Sequence, residues 1–109
     1  DFIFVEDLAR ACLTAIEVWD DESPLNLGSG GECSIADLAR QIQEISGFRG
    51  ELVFDRGEPD GAPVKLLDSR KIRTLGWKPE WPLREALART WEWYVGSRDA
   101  RAGEPGSEE

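Results

Sequence analysis

The 109-residue sequence predicts an α/β fold of about four helices and three short strands. Short runs of β-branched and aromatic residues stand where strands would be: Phe2-Ile3-Phe4-Val5, Leu25-Asn26-Leu27 and Glu51–Asp55. Between and after them, apolar residues recur at helical spacing. Glycines and prolines of the turn-forming kind separate the two patterns.

The elements follow in order. Asp1–Val5 reads as a strand leading into a helix from about Asp7 to Val18. On that helix Leu8, Ala11, Cys12, Ala15 and Ile16 share one face, while Arg10, Thr14 and Glu17 face out. Asp7 suits both a cap and the positive end of the helix dipole. Asp20–Pro24 is an acidic turn, and Pro24–Leu27 is a brief strand broken by Gly28-Ser29-Gly30-Gly31. Those glycines lack the G-x-G-x-x-G order and the helix starts beyond them, so a plain turn is preferred to a phosphate cradle. Ser34 caps a second helix whose stripe is Ile35, Leu38, Ala39, Ile42 and Ile45, and Gly47 stops it. Ser69 caps a short helix through Leu75, ended by Gly76. Trp77–Trp81 is an extended connector whose indoles pack against the last helix. Pro82 opens that helix, Leu83–Val95, with Leu83, Leu87, Trp91 and Tyr94 on one side and Trp93 on the other. Core packing accounts for Trp19, Trp77 and Trp91 better than sugar stacking does. Residues 97–109 read as a disordered acidic tail.

Composition narrows the function. Thirteen basic and twenty-two acidic side chains give a formal charge of −9, against a nucleic-acid or anionic-membrane surface. The absence of histidine removes a histidine-ligated zinc site and a histidine general base. Cys12 and Cys33 read as buried, reduced thiols. With no transmembrane-length apolar run and no visible signal peptide, a cytoplasmic protein is expected. The sequence contains no methionine and opens in mid-motif, which points to an excised or processed piece.

The stretch most suited to holding a ligand is 50–68, GELVFDRGEPDGAPVKLLD. Pro59 fixes φ in the Glu58-Pro59-Asp60-Gly61 turn, Asp60 can bond the backbone beyond it, and Pro63 keeps Ala62 extended. One carboxylate, Asp60, and one ammonium, Lys65, are thereby carried on a stiff loop. Chemistry alone also allows a solvated turn with a rim salt bridge.

The run VFD-x-x-x-PDG-x-P-x-KLLD, with LGWKP behind it, resembles the C-terminal part of the GDP-L-fucose synthase family. These are epimerase/reductases of the extended short-chain dehydrogenase/reductase type, in the NAD-dependent epimerase/dehydratase superfamily. DFIFVEDLARAC, LNLGSGGECSIADLA and LREALARTWEWY match the family in order, so the resemblance spans residues 1 to about 96. It implies a C-terminal nucleotide-sugar-binding region, residues 1–96, whose Rossmann core is missing. Asp60 and Lys65 would then lie at the substrate loop, Lys65 against the pyrophosphate and Asp60 accepting from ligand hydroxyls. The family's diphosphate-clamping arginine would stand one position before Asp1. Phe4, Glu58 and Val64 replace a usual His or Tyr, a lysine and an arginine, which leaves other nucleotide-sugars open beside the favoured GDP-sugar.

In the family the N-terminal Rossmann part carries NADP(H) and the Tyr-x-x-x-Lys. Here Tyr94 is followed by Val95-Gly96-Ser97-Arg98, so this chain is expected to bind no cofactor, to contribute no catalytic residue and to be silent alone. In the intact enzyme the resemblance implies epimerisation at C3 and C5 of a keto sugar, then NADPH reduction at C4. Alternatives are part of a UDP- or dTDP-sugar 4-epimerase or 4,6-dehydratase, and a stand-alone nucleotide-sugar-binding or interaction module. The Leu25–Leu27 strand would show an open edge, calling for the missing Rossmann part or for self-association.

Overall fold

The computed structural model describes residues 1–57, 59, 61 and 66–102. Among these residues there are four helices and no strand: α1 (Val5–Val18), α2 (Ile35–Ser46), α3 (Arg70–Thr74) and α4 (Leu83–Ala102). The fold is α-rich, and the three expected strands do not form among the described residues. A strand exists only through a ladder with a neighbour, and β-propensity reports fit to a half-buried sheet rather than a local preference. Leu25 and Leu27 instead pack their side chains, with Ile3, against the core of Ala11, Ile72 and Trp77. The expected open strand edge is therefore not a feature of this segment.

Helix α1 starts at Val5, with Phe4 in extended backbone as its cap residue, rather than at Asp7. The face it buries is also not the expected one. Asp7 is 1% exposed and Ala11 2%, whereas Ile16 is 81% exposed and Leu8 and Cys12 also face solvent. The reason lies in the Asp7 carboxylate. It accepts hydrogen bonds from Glu80 N at 2.9 Å, Trp81 N at 3.2 Å and the Arg10 guanidinium. Trp77 Nε1 donates to the Asp7 carbonyl at 2.9 Å. These bonds turn the Asp7–Ala11 side inward and pin the 77–81 connector across the start of α1. The connector's indoles accordingly meet the N-terminal segment rather than only α4: Trp77 joins Ala11 and Ile72, and Trp81 lies 4.8 Å from the Phe4 ring.

The capping expected for α2 is present. Ser34 Oγ accepts from Asp37 N at 3.1 Å, and Gly47 ends the helix in left-handed backbone, φ 71°. Leu38, Ala39 and Ile45 are half-buried, but Ile35 and Ile42 are exposed. Helix α2 packs on α4, where Arg84 and Glu44 pair at 2.7 Å. Ser69 precedes α3 without capping it through its side chain, and its hydroxyl accepts from Arg73 Nε at 3.3 Å. Asp68 accepts from Arg70 N at 3.1 Å instead. Helix α4 continues to Ala102, so residues 97–102 are helical where a disordered tail was expected; residues 103–109 lie outside the described residues. Trp93 does face away from the packed side and is 68% exposed. Both cysteines are free, but Cys12 is exposed, since α1 turns its neighbour Ala11 inward, and Cys33 is only half-buried.

The chain is open for its size. Its accessible surface is 8876 Å² for 12.2 kDa, against about 6,100 Å² for a monomer of that mass. Its radius of gyration is 17.7 Å, against roughly 13 Å for a compact domain of this length. No helix among the described residues is long and apolar enough to cross a membrane.

Candidate functional site

Asp60 and Lys65 lie outside the described residues, as do Glu58 and Val64. What the structure places is the surroundings in which their loop ends. Leu67 N donates to Asp1 Oδ2 at 3.3 Å, across 66 positions of sequence. The other Asp1 oxygen accepts from Ser29 N at 2.9 Å and from Ser29 Oγ at 2.6 Å. Arg73 donates to the Ser29 carbonyl at 3.3 Å, which ties α3 to the same turn. The N-terminal segment, the glycine turn and the 66–68 segment thus meet at one carboxylate. Gly28 is required by this closeness. A Cβ there would run into Asp1 Oδ2 and stand 2.9 Å from the Leu67 carbonyl.

Ser29 is shared with a cavity of about 340 Å³. Phe2, Phe4, Trp81 and Leu83 supply apolar wall, and Glu32, Glu80 and Cys33 supply polar groups. Among the described lining residues there are carboxylates and no lysine or arginine. Asp7 reaches its floor fully bonded, and among the described residues no buried side-chain N or O lacks a partner. Burial pushes the Asp7 carboxyl up, but the bonds from Glu80 N–H, Arg10 and Trp81 N–H together hold it below the ordinary carboxylate value. Asp7 is therefore a charged structural clamp rather than a proton donor. Exposed Asp68 is held at about 2 by its bonds from the Arg70 side chain and backbone.

The glycine turn does not fit a dinucleotide. Ser29 N–H is committed to the Asp1 carboxylate, and Gly31 N–H points to Ser29 Oγ at 3.3 Å. A pyrophosphate there would face a carboxylate instead of free amides. No step through NADP(H) follows from these residues.

No protein-family model matches the chain. Curated relatives do match. GDP-L-fucose synthase 1 of Arabidopsis thaliana is 42% identical over 95 residues, covering 87% of this chain and 29% of the relative. The GDP-L-fucose synthase of Escherichia coli K12 is 38% identical over 112 residues, 94% of this chain and 35% of the relative. The chain is similar to GDP-L-fucose synthases. The likeness carried by its motifs thus holds along most of its length. A Methanocaldococcus jannaschii protein provisionally named as a UDP-glucose 4-epimerase is 39% identical over 93 residues, 85% of this chain and 30% of the relative. The chain spans about a third of the length of these relatives.

Sequence reading singled out the loop residues but missed the two carboxylates that organise its surroundings. Asp1 was read as the start of a strand and Asp7 as a helix-end charge. A signal for Asp7 existed in the Asp7–Ala11 spacing, which puts both on one helix face. Nothing in the sequence tied that face to residues 77–81.

Proposed function

We propose that this chain is the nucleotide-sugar-binding part of a GDP-L-fucose synthase-like, NADP-dependent epimerase/reductase. Residues 1–96 form the C-terminal nucleotide-sugar-binding region, and NADP(H) and the reacting groups belong to the remainder of the enzyme. The observation that carries the reading is the 38–42% identity to GDP-L-fucose synthases over 87–94% of the chain. Asp60 and Lys65 bind the ligand, Lys65 by offsetting pyrophosphate charge and Asp60 by accepting from hydroxyls. The enzyme works in the cytoplasm, and the −9 chain takes neither nucleic acid nor a membrane as partner. Alone, this chain is catalytically silent. Its excess accessible surface, with Leu8, Cys12 and Ile16 outward on α1, supports burial against the Rossmann part or a second copy.

A UDP-sugar 4-epimerase is the second reading, favoured by the relative named for that activity and by the uncharged Val64 and acidic Glu58. Amide NMR of the chain titrated separately with GDP, UDP and dTDP decides between them. Shifts at Asp60 and Lys65 with GDP alone uphold the first reading, and shifts with UDP alone uphold the second. No response in the chain, together with no response when it is joined to a Rossmann part, overturns both.

A further inference from the structure

We propose that the cavity between the N-terminal segment and residues 79–83 binds a small molecule carrying a quaternary ammonium group. Aromatic rings supply much of its wall. Phe4 and Trp81 stand 4.8 Å apart and tilted by 51°, so they make a corner rather than a parallel stack, and exposed Phe2 adds a third ring. A cation within about 6 Å of such a ring is drawn to its quadrupole. The charge has the matching sign. Three of the described lining side chains are carboxylates, Asp7, Glu32 and Glu80. Arg10 answers two of them, bonding Asp7 and pairing with Glu80 at 3.4 Å. One guanidinium against three carboxylates leaves the lining negative. Two observations choose the kind of cation. Among the described residues no cluster of acidic side chains and thiols could hold a metal ion, and no buried side-chain N or O lacks a partner. The wall thus has no buried acceptor in want of an N–H. A strongly hydrated ammonium would lose its water there without replacement, whereas a quaternary ammonium has no N–H to satisfy and turns methyl groups to the rings. The wall is also held in place beforehand. Asp7 accepts from Glu80 N–H at 2.9 Å and Trp81 N–H at 3.2 Å, which pins the Trp81 backbone to the start of α1. The volume of about 340 Å³ is at the small end of the ~300–1,000 Å³ usual for ligand pockets, as a choline-sized molecule requires. None of these residues belongs to the 50–68 stretch, so the site owes nothing to the roles proposed for Asp60 and Lys65.

Choline and its neutral carbon isostere, dimethylbutanol, test this on the unaltered chain. Amide and indole NMR follow Phe4, Trp81 and Glu32 through each titration, and saturation transfer reports contact between the rings and the N-methyl protons of choline. Expected are choline shifts centred on those three residues and about tenfold weaker binding of the isostere, which lacks only the charge. Trp81→Leu removes a ring while its backbone N–H keeps the Asp7 bond, and it weakens choline binding about tenfold. Glu32 is exposed, so Glu32→Gln leaves the fold intact and weakens choline binding about threefold. Should Trp81→Leu fail to fold, the isostere and Glu32→Gln decide. Equal affinity for choline and the isostere makes the cavity a merely apolar hole and overturns the site. So does an affinity that Glu32→Gln and a folded Trp81→Leu leave unchanged, or the absence of saturation transfer to choline.

Discussion

Replacing Asp7 by alanine removes the one acceptor that holds residues 80 and 81 to the start of α1. Glu80 N–H and Trp81 N–H lose their acceptor, while the Arg10 guanidinium loses the Asp7 bond but keeps the Lys78 carbonyl at 3.0 Å and the Glu80 carboxylate at 3.4 Å. Breaking a fully buried ion pair costs about 3–5 kcal/mol, but Arg10 is 36% exposed and regains water, which discounts its share. Each stranded backbone donor costs about 1–3 kcal/mol when buried, and these two are partly so. The sum is roughly 2–4 kcal/mol, a large part of the ~5–15 kcal/mol that holds a domain together. Urea melts followed by tryptophan fluorescence read it directly, because Trp77 and Trp81 sit on the clamped connector. Asp7→Asn keeps the shape and one acceptor and loses about half as much. An Asp7→Ala variant within ~0.5 kcal/mol of the unaltered chain, the usual scatter for surface substitutions, refutes the clamp.

The same group gives a pH signature. Its carboxyl is held below the ordinary value in the folded chain, so its contribution is complete above that ordinary value. It is lost as pH falls through the lowered one. Urea midpoints taken from pH 7 downward therefore drop more steeply for the unaltered chain than for Asp7→Asn. Parallel curves count against this account.

Three further outcomes are expected. Ser34→Ala removes the hydroxyl that caps α2 and costs about 1 kcal/mol, while Gly47→Ala costs about 1–2 kcal/mol from left-handed backbone alone, since open space surrounds its Cβ; chemical denaturation measures both. By NMR, Asp68 titrates near 2, and Arg70→Ala returns it towards the ordinary carboxylate value; an unmoved midpoint contradicts the pairing. Light scattering at increasing concentration shows self-association of the chain unless a Rossmann part is supplied, and Leu8→Ser with Ile16→Ser suppresses it; a stable monomer at high concentration rules this out.

What could be read from the sequence was whatever is local. Ser34 before Asp37 and Gly47 after the last apolar position bound α2 because capping is settled within a few residues. The strands failed for the opposite reason. Phe2–Val5 and Leu25–Leu27 have the composition of strands, yet composition cannot supply the neighbour that a ladder needs. The facing of α1 failed because periodicity ranks apolar residues inward and prices a lone aspartate outward. Three donors from distant and near residues reverse that ranking, and no window along the chain contains them. The end of α4 at Ala102 passed a Gly96 that propensity alone would penalise. Asp60 and Lys65 were singled out by the stiff loop that carries them and given roles by likeness to a family, and both lie outside the described residues.

Two faces of α1 make one physical argument. Helix α1 buries a carboxylate while leaving Leu8 and Ile16 to water. The clamp at Asp7 is too well bonded to be an accident of collapse, since every donor reaching it is itself fixed by backbone or by a neighbouring turn of helix. The orientation of α1 is thus set from inside, and the apolar stripe is the consequence. The Asp7 bonds fix α1 and the 77–81 connector to one another, and the same orientation leaves Leu8 and Ile16 on the solvent side.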